Sequence, residues 1–460
     1  MTGEAVQLGP VRGRARIEVL DIMRGIAILG ILFMNIPFMG ANASLWMGDP
    51  RRLSWTPLDQ GVFAAIAIVW EGTQRGLFEF LFGAGALVLT AKAMKPTDPV
   101  AVADLFFRRN FLLIGFGLLD IFLVGWIGDI LLIYGLAALL IFPFRTVRPK
   151  LLLALGLFWA VASGIGWHHG GGLVDTLERN RALVEMPQLE QKKASGAKLT
   201  KEEQDKLKDW QKKKDSLDLS KPLDPETKEM VAAETKAHSG SPIAFLTWTA
   251  GVWKMIFFDG HGTFFSVFEA ACGMFIGMAL FKWGVIQGER SMRFYALLAI
   301  CAYTVGFGLR GWNVVQMMSF TLEPKIGWIT NEFARLAVTL GHVAFFNLLV
   351  KTPLGHFALS PFKAAGRMAF SIYVGTSVVA LWFVFAPWGL NLWGRFGWTQ
   401  LMLTAVVIDL AMLVIANLWL RAFACGPLEW VWRSLAYWQR QPFRRVAPAA
   451  AVSDPVAALA

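Results

Sequence analysis

Long apolar runs separated by short polar stretches occupy most of the chain. A helix that spans a bilayer needs roughly 17 to 25 mostly apolar residues. The runs that meet this criterion are 18–40, 62–91, 105–125, 127–144, 150–167, 262–283, 294–313, 328–350, 364–386 and 399–421. The pattern predicts an all-α, polytopic membrane helix bundle with about ten transmembrane helices. A further apolar stretch, 243–258, is short and holds Lys254, which favours an interfacial or re-entrant helix.

One stretch, residues 173–240, breaks the apolar pattern because it is rich in Lys, Glu, Asp and Gln. Segment 191–214 has the composition of an exposed helix with few residues to bury. We expect three parts. Residues 1–172 form membrane helices one to five, and residues 173–240 form a charged extracytoplasmic helical insert. Residues 241–445 form the interfacial helix, membrane helices six to ten and a cytoplasmic C-terminal motif. The tail, 446–460, is expected to be disordered. Two interpretations of the insert stay open: a solvated loop without its own function, and a lid over an external site.

The composition agrees with a membrane protein. Hydrophobic residues make up 55% of the chain and charged residues 17%, and the mean hydropathy is +0.49, which is too apolar for an ordinary soluble chain of this length. The formal net charge of +11 does not indicate nucleic-acid binding, because the basic residues stand at the ends of apolar runs rather than in one patch.

The Lys and Arg residues of the short loops predict the orientation, since cytoplasmic loops of membrane proteins are enriched in them. With the N-terminus inside, one side collects Arg12, Arg14, Arg16, Lys92, Lys95, Arg108, Arg109, Arg145, Arg148, Lys150, Lys282, Arg290, Arg293, Lys351, Lys363, Arg421, Arg433, Arg440, Arg444 and Arg445. The opposite side collects chiefly Arg51, Arg52, Lys325 and Arg395. We therefore expect a multi-pass protein of the bacterial inner membrane with both termini in the cytoplasm.

Ionisable residues inside the predicted spans are the first candidates for a functional site. They are Asp21, Arg24, Glu71, Glu79, Asp120, Asp129, Glu269, Glu332, Arg335, His342 and Asp409. A charge at mid-bilayer costs a few kcal/mol unless it faces a partner, water or a site. Any single one is explained by an ion pair inside the bundle. Together they indicate a polar interior, as expected for a substrate path or an active site.

Histidine is scarce, with six in the chain, and this narrows the choice of a general base. His261 is the first candidate: it follows Asp259 at the predicted outer end of the sixth membrane helix, where the carboxylate could orient the imidazole. The structural alternative is that His261 only donates a hydrogen bond to a loop carbonyl. The three cysteines show no paired spacing, and the chain has no metal, Walker or dinucleotide fingerprint, so no metal site is expected.

Several stretches resemble one family of membrane proteins. Residues 16–27 read RIEVLDIMRGIA, and 30–36 read GILFMNI. Further matching stretches are FEFLFG at 78–83, GLL at 117–119 after Arg108 and Arg109, GDIL at 128–131 with Tyr134, GRMAFSIY at 366–373 and GPLEWVWRSL at 426–435. On these residues the chain resembles the YeiB-like proteins of the domain-of-unknown-function 418 family, which are similar to the transmembrane acyltransferase superfamily. The resemblance does not cover the insert.

The resemblance implies a cytoplasmic acyl-CoA donor and a hydroxyl or amine acceptor on the other side of the membrane. Arginines at the inner face, namely Arg16, Arg108, Arg109 and Arg367, would then bind CoA phosphates, for which guanidinium groups are suited. Related enzymes hold a His eleven residues after the first-helix Arg, and here Asn35 stands at that distance from Arg24. The family commonly has His where this chain has Asp120.

The proton acceptor is therefore expected elsewhere, with His261 first and Asp129 second. The substrate path is expected to include Asp21, Arg24, Asn35, Glu71, Glu79, Asp120, Tyr134 and Glu269. The main alternative is a transporter or permease for a small polar or anionic solute, which also needs a charged interior, and a non-catalytic scaffold is the third. The expected partners are the bilayer, acyl-CoA and the acceptor; nothing in the sequence indicates the oligomeric state.

Overall fold

The computed structural model describes residues 17–90, 99–167 and 171–445. Helices form nearly all of its regular structure, and within these ranges the only β-type pairing is an isolated bridge between Phe423 and Arg444. The fold is therefore all-α, as the sequence predicts. Arg16, Lys92, Lys95, His168, His169 and the tail from 446 lie outside the described residues.

The helices before the insert are α1 Glu18–Gly30, α2 Leu32–Gly40, α3 Ala43–Trp46, α4 Pro57–Val69, α5 Thr73–Thr90, α6 Pro99–Leu119, α7 Leu131–Ile141 and α8 Pro149–Ile165. The insert contains α9 Gly172–Ala194, α10 Lys201–Leu217 and α11 Pro225–His238. The helices after it are α12 Pro242–Trp253, α13 Gly262–Lys282, α14 Met292–Met317, α15 Gly327–Val350, α16 Pro353–Leu359, α17 Phe362–Arg367, α18 Ala369–Val378, α19 Trp398–Ala422 and α20 Pro427–Ala436. Wide π-type turns extend α6 over Asp120–Val124, α12 over Lys254–Asp259 and α18 over Val379–Val384.

Five helical stretches of the described chain are long and apolar enough to cross a membrane. They are Glu18–Gly40, Gly262–Lys282, Met292–Met317, Gly327–Val350 and Trp398–Ala422. Shorter apolar helices at Leu131–Thr146, Pro149–Ile165 and Ala369–Val384 overlap three more of the predicted spans. The apolar helices support a membrane protein, and the number of about ten spans stays a prediction.

Helices α1 and α17 cross at a distance so short that their backbones touch. A Cβ atom on Gly366 would overlap the carbonyl oxygen of Asp21, and one on Gly25 would overlap that of Phe362. Glycine at both positions lets the backbones of α1 and α17 touch. This crossing brings Arg24 and Arg367, which neighbour the two glycines in sequence, to the same end of the bundle.

The insert folds around its own small core and docks on the end of the bundle away from that crossing. Met186, Leu189 and Trp210 are buried between its helices. The buried Glu234 carboxylate accepts hydrogen bonds from the amides of Ala43 and Ser44, at 2.9 and 3.0 Å. Burial raises the pKa of Glu234.

The imidazole of His238 provides a second docking contact. It stacks on Trp393 with ring centroids 4.3 Å apart and also packs against Phe245. Burial lowers the pKa of His238 to about 4, so the ring is neutral at pH 7. The insert is thus attached in part through polar and aromatic contacts of Glu234 and His238.

Candidate functional site

An amphipathic cavity of 330 Å³ runs between α1, α5, α6, α7, α18 and α20. Its charged lining residues are Asp21, Arg24, Arg109, Arg367, Glu429 and Arg433. Its apolar lining includes Ile28, Phe78, Leu81, Phe82, Gly85, Phe106, Leu113, Leu131 and Phe370. Along α5 the lining extends over 78–89, which corresponds to about 16 Å at the helical rise of 1.5 Å per residue. The cavity therefore has a cationic end and a long apolar wall.

Neighbouring groups hold the arginines at the cationic end in place, but the lining has fewer carboxylates than arginines. Arg24 pairs with Asp21 at 3.1 Å, and the Arg109 guanidinium lies 4.4 Å from the Trp432 ring centroid. Arg367 donates to the Ala424 carbonyl at 3.0 Å. The four arginines of the lining face two carboxylates, Asp21 and Glu429, so this end carries a net positive charge.

The Glu429 carboxylate serves the packing of α20. It accepts hydrogen bonds from the amides of Phe370 and Ser371, at 2.7 and 3.1 Å, and from the Ser371 hydroxyl. These contacts join the N-terminus of α20 to that of α18, where an anion is favoured by the free amides. Glu429 thereby holds α20 so that Trp432 and Arg433 face the cavity.

Two tyrosines lie at the end of the cavity away from the arginines. Tyr134 stacks on Phe78, with centroids 5.7 Å apart, and its hydroxyl donates to the Arg75 carbonyl at 3.2 Å. The Tyr373 hydroxyl accepts from the Trp126 indole at 3.1 Å and from the Ile130 amide at 3.0 Å. Both side chains are 2% exposed, and both line the cavity.

Behind Tyr373 lie the carboxyl groups of Asp129 and Asp120. The Asp129 carboxyl lies close to the Tyr373 hydroxyl. Its Oδ2 accepts from the Leu132 amide at 2.7 Å, and its Oδ1 has no hydrogen-bond partner among the described residues. Asp120, on the π-type turn after α6, lies near Asp129, and neither of its carboxyl oxygens has a hydrogen-bond partner among the described residues. A buried carboxyl pair thus stands one side chain away from the cavity wall.

A separate charge cluster lies between α5, α13 and α15. Arg335 is 3% exposed and pairs with Glu79 at 3.2 Å, Glu269 at 3.1 Å and Glu332 at 2.9 Å. Arg75 joins it through Glu269 at 2.5 Å. The cluster explains why these charges are tolerated inside the bundle.

Replacing Arg335 by Met is expected to destabilise the bundle by about 3 kcal/mol or more, because Glu79, Glu269 and Glu332 lose the cation they share. Arg75 then remains to pair with the buried Glu79 and Glu269. Thermal unfolding of the purified protein in detergent would measure the loss. Lys351→Met, which removes a cation from the end of the same helix, is the control. Equal melting temperatures for Arg335→Met and wild type would contradict this role.

The helix formed by α4 and α5 is broken inside the bundle. Gly72 has φ +69°, which is the left-handed conformation that glycine adopts without strain. The buried Arg310 caps the open end of α4, donating to the Ala67 carbonyl at 3.0 Å and the Glu71 carbonyl at 2.6 Å. The hydropathy of segment 62–91 gives no sign of this break.

The structure brings some of the predicted site residues together and separates others. Asp21, Arg24, Arg109, Tyr134 and Arg367 line one cavity. Glu79 and Glu269 belong to the charge cluster, and the Glu71 carboxylate lies near Arg310. Asn35 is half-buried on α2 and is not part of the cavity lining.

Two candidates lie away from the cavity. Arg108 pairs with Asp104 and donates to the Ala436 carbonyl at 2.9 Å, outside the lining. His261 is exposed in a left-handed conformation with φ 59°. The Asp259 carboxylate, which was expected to orient His261, pairs with Lys254 at 2.7 Å. The described residues contain no group of three potential metal ligands.

Several residues of these sites were missed in the sequence. Arg75 stands four residues before Glu79, a spacing at which opposite charges pair on a helix, so that signal was available. Arg433 and Tyr373 lie within stretches 426–435 and 366–373, which carry the family resemblance. No sequence pattern identifies Arg310, because only the tertiary structure shows which carbonyls it caps.

Comparison with known proteins supports the resemblance. Residues 280–439 match the family described as "Protein of unknown function (DUF418)". The chain is 28% identical to "Uncharacterized protein YxaH" of Bacillus subtilis (strain 168) over 454 residues, covering 95% of this chain and 98% of that protein. It is 24% identical to "Uncharacterized protein YeiB" of Escherichia coli (strain K12) over 437 residues, covering 90% of this chain and 95% of that protein.

Proposed function

We propose that this YeiB-like protein is a membrane acyltransferase, which moves an acyl group from acyl-CoA to a hydroxyl or amine acceptor on the other side of the membrane. The observation that carries the proposal is the amphipathic cavity. Arg24, Arg109, Arg367 and Arg433 supply a cationic end for phosphates, and the wall along 78–89 suits an extended thioester arm.

In this proposal the donor enters with its phosphates at the arginines and its thioester toward Tyr373. The acceptor O–H or N–H attacks the thioester carbonyl carbon, the new C–O or C–N bond forms, and the C–S bond breaks. The acceptor proton passes to the Tyr373 oxygen as the Tyr373 proton moves to Asp129. The CoA thiolate then takes a proton back from Asp129 through Tyr373 as it leaves, which returns both side chains to their starting state. General-base help of this kind contributes about 10²- to 10⁴-fold.

Asp129 replaces His261 as the preferred proton acceptor because of position. Asp129 lies beside the cavity-lining Tyr373 hydroxyl, whereas His261 is exposed and outside the lining. The roles of Asp120 and Tyr134 in the proposal are to support Asp129 and to close the end of the cavity. Asn35 and Arg108 take no part in it.

The proposal includes an orientation: both termini in the cytoplasm of a cell with an inner membrane, and the insert outside. Its basis is the Lys and Arg asymmetry. With the native cysteines replaced, Ser216→Cys on the exposed face of α10 is expected to react with an impermeant thiol reagent in intact spheroplasts. Reaction only after lysis would contradict this orientation.

A binding measurement separates the two neighbouring arginines. Arg109→Gln is expected to weaken CoA binding about 10- to 100-fold, because it removes one charge-assisted contact to phosphate. Arg108→Gln, the matched control outside the lining, is expected to bind like wild type. Isothermal calorimetry on the purified protein measures both. If wild type does not bind CoA, the acyltransferase proposal fails.

Transport of a small polar or anionic solute is the second candidate, and the break between α4 and α5 favours it, since transporters bind substrates at discontinuous helices. In this chain the open carbonyls are already capped by Arg310. Vesicles reconstituted with labelled acetyl-CoA distinguish the two functions. CoA release with label in a non-protein acceptor supports acyl transfer, whereas uptake without CoA release supports transport.

A further inference from the structure

A second, larger cavity of 1510 Å³ lies at the other end of the bundle, between the insert and the segment that follows α2. Its bundle side consists of Ser44, Leu45, Gly48, Asp49 and Arg52. Its insert side includes Glu190, Lys193, Gln204, Lys208, Lys212, Asp215, Lys221, Asp224 and Glu226. The cavity exceeds the usual size of a drug-sized pocket, so it has room for an oligomeric ligand.

The carboxylates of this lining are already committed to partners. Asp49 forms a bidentate contact with Arg51, at 3.0 and 2.6 Å. The other acidic residues pair with lysines: Glu190 with Lys214 at 2.7 Å, Asp215 with Lys221 at 2.5 Å, and Asp224 and Glu226 with Lys212 at 3.8 and 3.9 Å. Asp49, Glu190 and Asp215 thus each have a cation of their own, and Asp224 and Glu226 share one, so four of the five negative charges are compensated within the protein.

Three cations of the lining are not paired with a carboxylate in the part of the chain that the structure describes. Arg52, Lys193 and Lys208 line the cavity and form no ion pair with any residue in the described ranges. Lys193 and Lys208 are exposed on α9 and α10, and Arg52 is half-buried on the bundle side. The uncommitted charge of the cavity is therefore positive on both of its walls.

We propose that this cavity binds a soluble oligoanion, a molecule that carries several phosphate or carboxylate groups. A chain of anionic groups can contact cations on both walls, which suits a cavity of this volume. The proposal does not depend on acyl transfer, because this cavity and the arginine-lined cavity share no lining residue.

Binding across both walls has a structural consequence. Arg52 belongs to the bundle, and Lys193 and Lys208 belong to the insert, so a bridging anion holds the insert against the bundle. Glu234 and His238 are not lining residues themselves, whereas Ser44, which Glu234 contacts, is one. The anion adds to their docking contacts. A ligand that binds the docked state alone also stabilises it.

The test uses full-length protein in nanodiscs of zwitterionic lipid, titrated with inorganic tripolyphosphate and, separately, with citrate. The double variant Lys193→Gln, Lys208→Gln is expected to weaken binding at least tenfold. The loss of a single hydrogen bond to a charged group already has an effect of about this size. Lys206→Gln with Lys213→Gln removes the same charge from α10 outside the lining and is expected to change binding less than twofold. Binding should weaken as salt rises.

Hydrogen exchange of backbone amides reports whether the anion holds the insert on the bundle. A loss of overall positive charge alone is not expected to change it. Amides of α3, which the insert contacts through Glu234, are expected to exchange at least fivefold more slowly when tripolyphosphate is bound. Binding of either anion with this pattern supports the proposal, and the anion that binds identifies the group recognised. No binding of either at millimolar concentration, or equal losses in both double variants, would overturn it.

Discussion

On the proposed function, Asp129→Asn is expected to lower acyl transfer by a factor of about 10² to 10⁴, the range that a general base contributes, while CoA affinity is expected to stay within about twofold. Asparagine keeps an oxygen that can accept from the Leu132 amide, so the start of α7 keeps its cap. It cannot take up the proton that leaves the acceptor through Tyr373. Turnover is measured as CoA release by the reconstituted protein.

The control for Asp129→Asn is Asp409→Asn. Asp409 is also buried in a predicted span, and its carboxylate oxygens have no hydrogen-bond partner among the described residues, but it lies outside the cavity lining. Turnover of Asp409→Asn is expected to equal that of wild type. Tyr373→Phe, which removes the link between the cavity and Asp129, is expected to lose turnover as Asp129→Asn does. Wild-type turnover by Asp129→Asn would remove the carboxyl pair from the mechanism.

Gly85→Leu is expected to weaken acyl-CoA binding at least tenfold by filling the cavity. Gly85 lines the cavity on α5, and a Cβ atom there meets no heavy atom within 4 Å. The added side chain therefore occupies ligand space without displacing protein atoms. Leucine is also a better helix former than glycine, by about 0.8 kcal/mol, so the fold is expected to persist.

Gly115→Leu is the matched control for Gly85→Leu. Gly115 on α6 also has no heavy atom within 4 Å of a built Cβ, but it does not line the cavity. Calorimetry with acyl-CoA is expected to give wild-type affinity for Gly115→Leu and a loss for Gly85→Leu. Unchanged affinity in both variants would mean that the ligand does not occupy the space beside α5.

The sequence predicts the helices well where hydropathy alone decides them. The stretches Glu18–Gly40, Gly262–Lys282 and Trp398–Ala422 follow their apolar runs closely. The break at Gly72 was missed, because apolar residues continue on both sides and the reason for the break, the cap by Arg310, comes from another helix. Local composition cannot report such a contact.

The candidate site was partly predictable for similar reasons. Charged residues inside spans were recognised as unusual, and the structure places several of them around one cavity. Arg108 and Arg109 were not separated, because consecutive residues point about 100° apart on a helix and only the packing of α20 shows which one faces inward. Tyr373 and Asp129 meet although 244 positions separate them, which no motif spacing indicates.

The most direct test of the proposed function is a structure determined with a thioether analogue of acetyl-CoA, which binds like the donor but cannot transfer its acyl group. The proposal predicts density in the amphipathic cavity, with the phosphates among Arg24, Arg109, Arg367 and Arg433 and the sulfur end beside Tyr373. An empty cavity at saturating analogue, or density with the phosphates beside Tyr373, would contradict it.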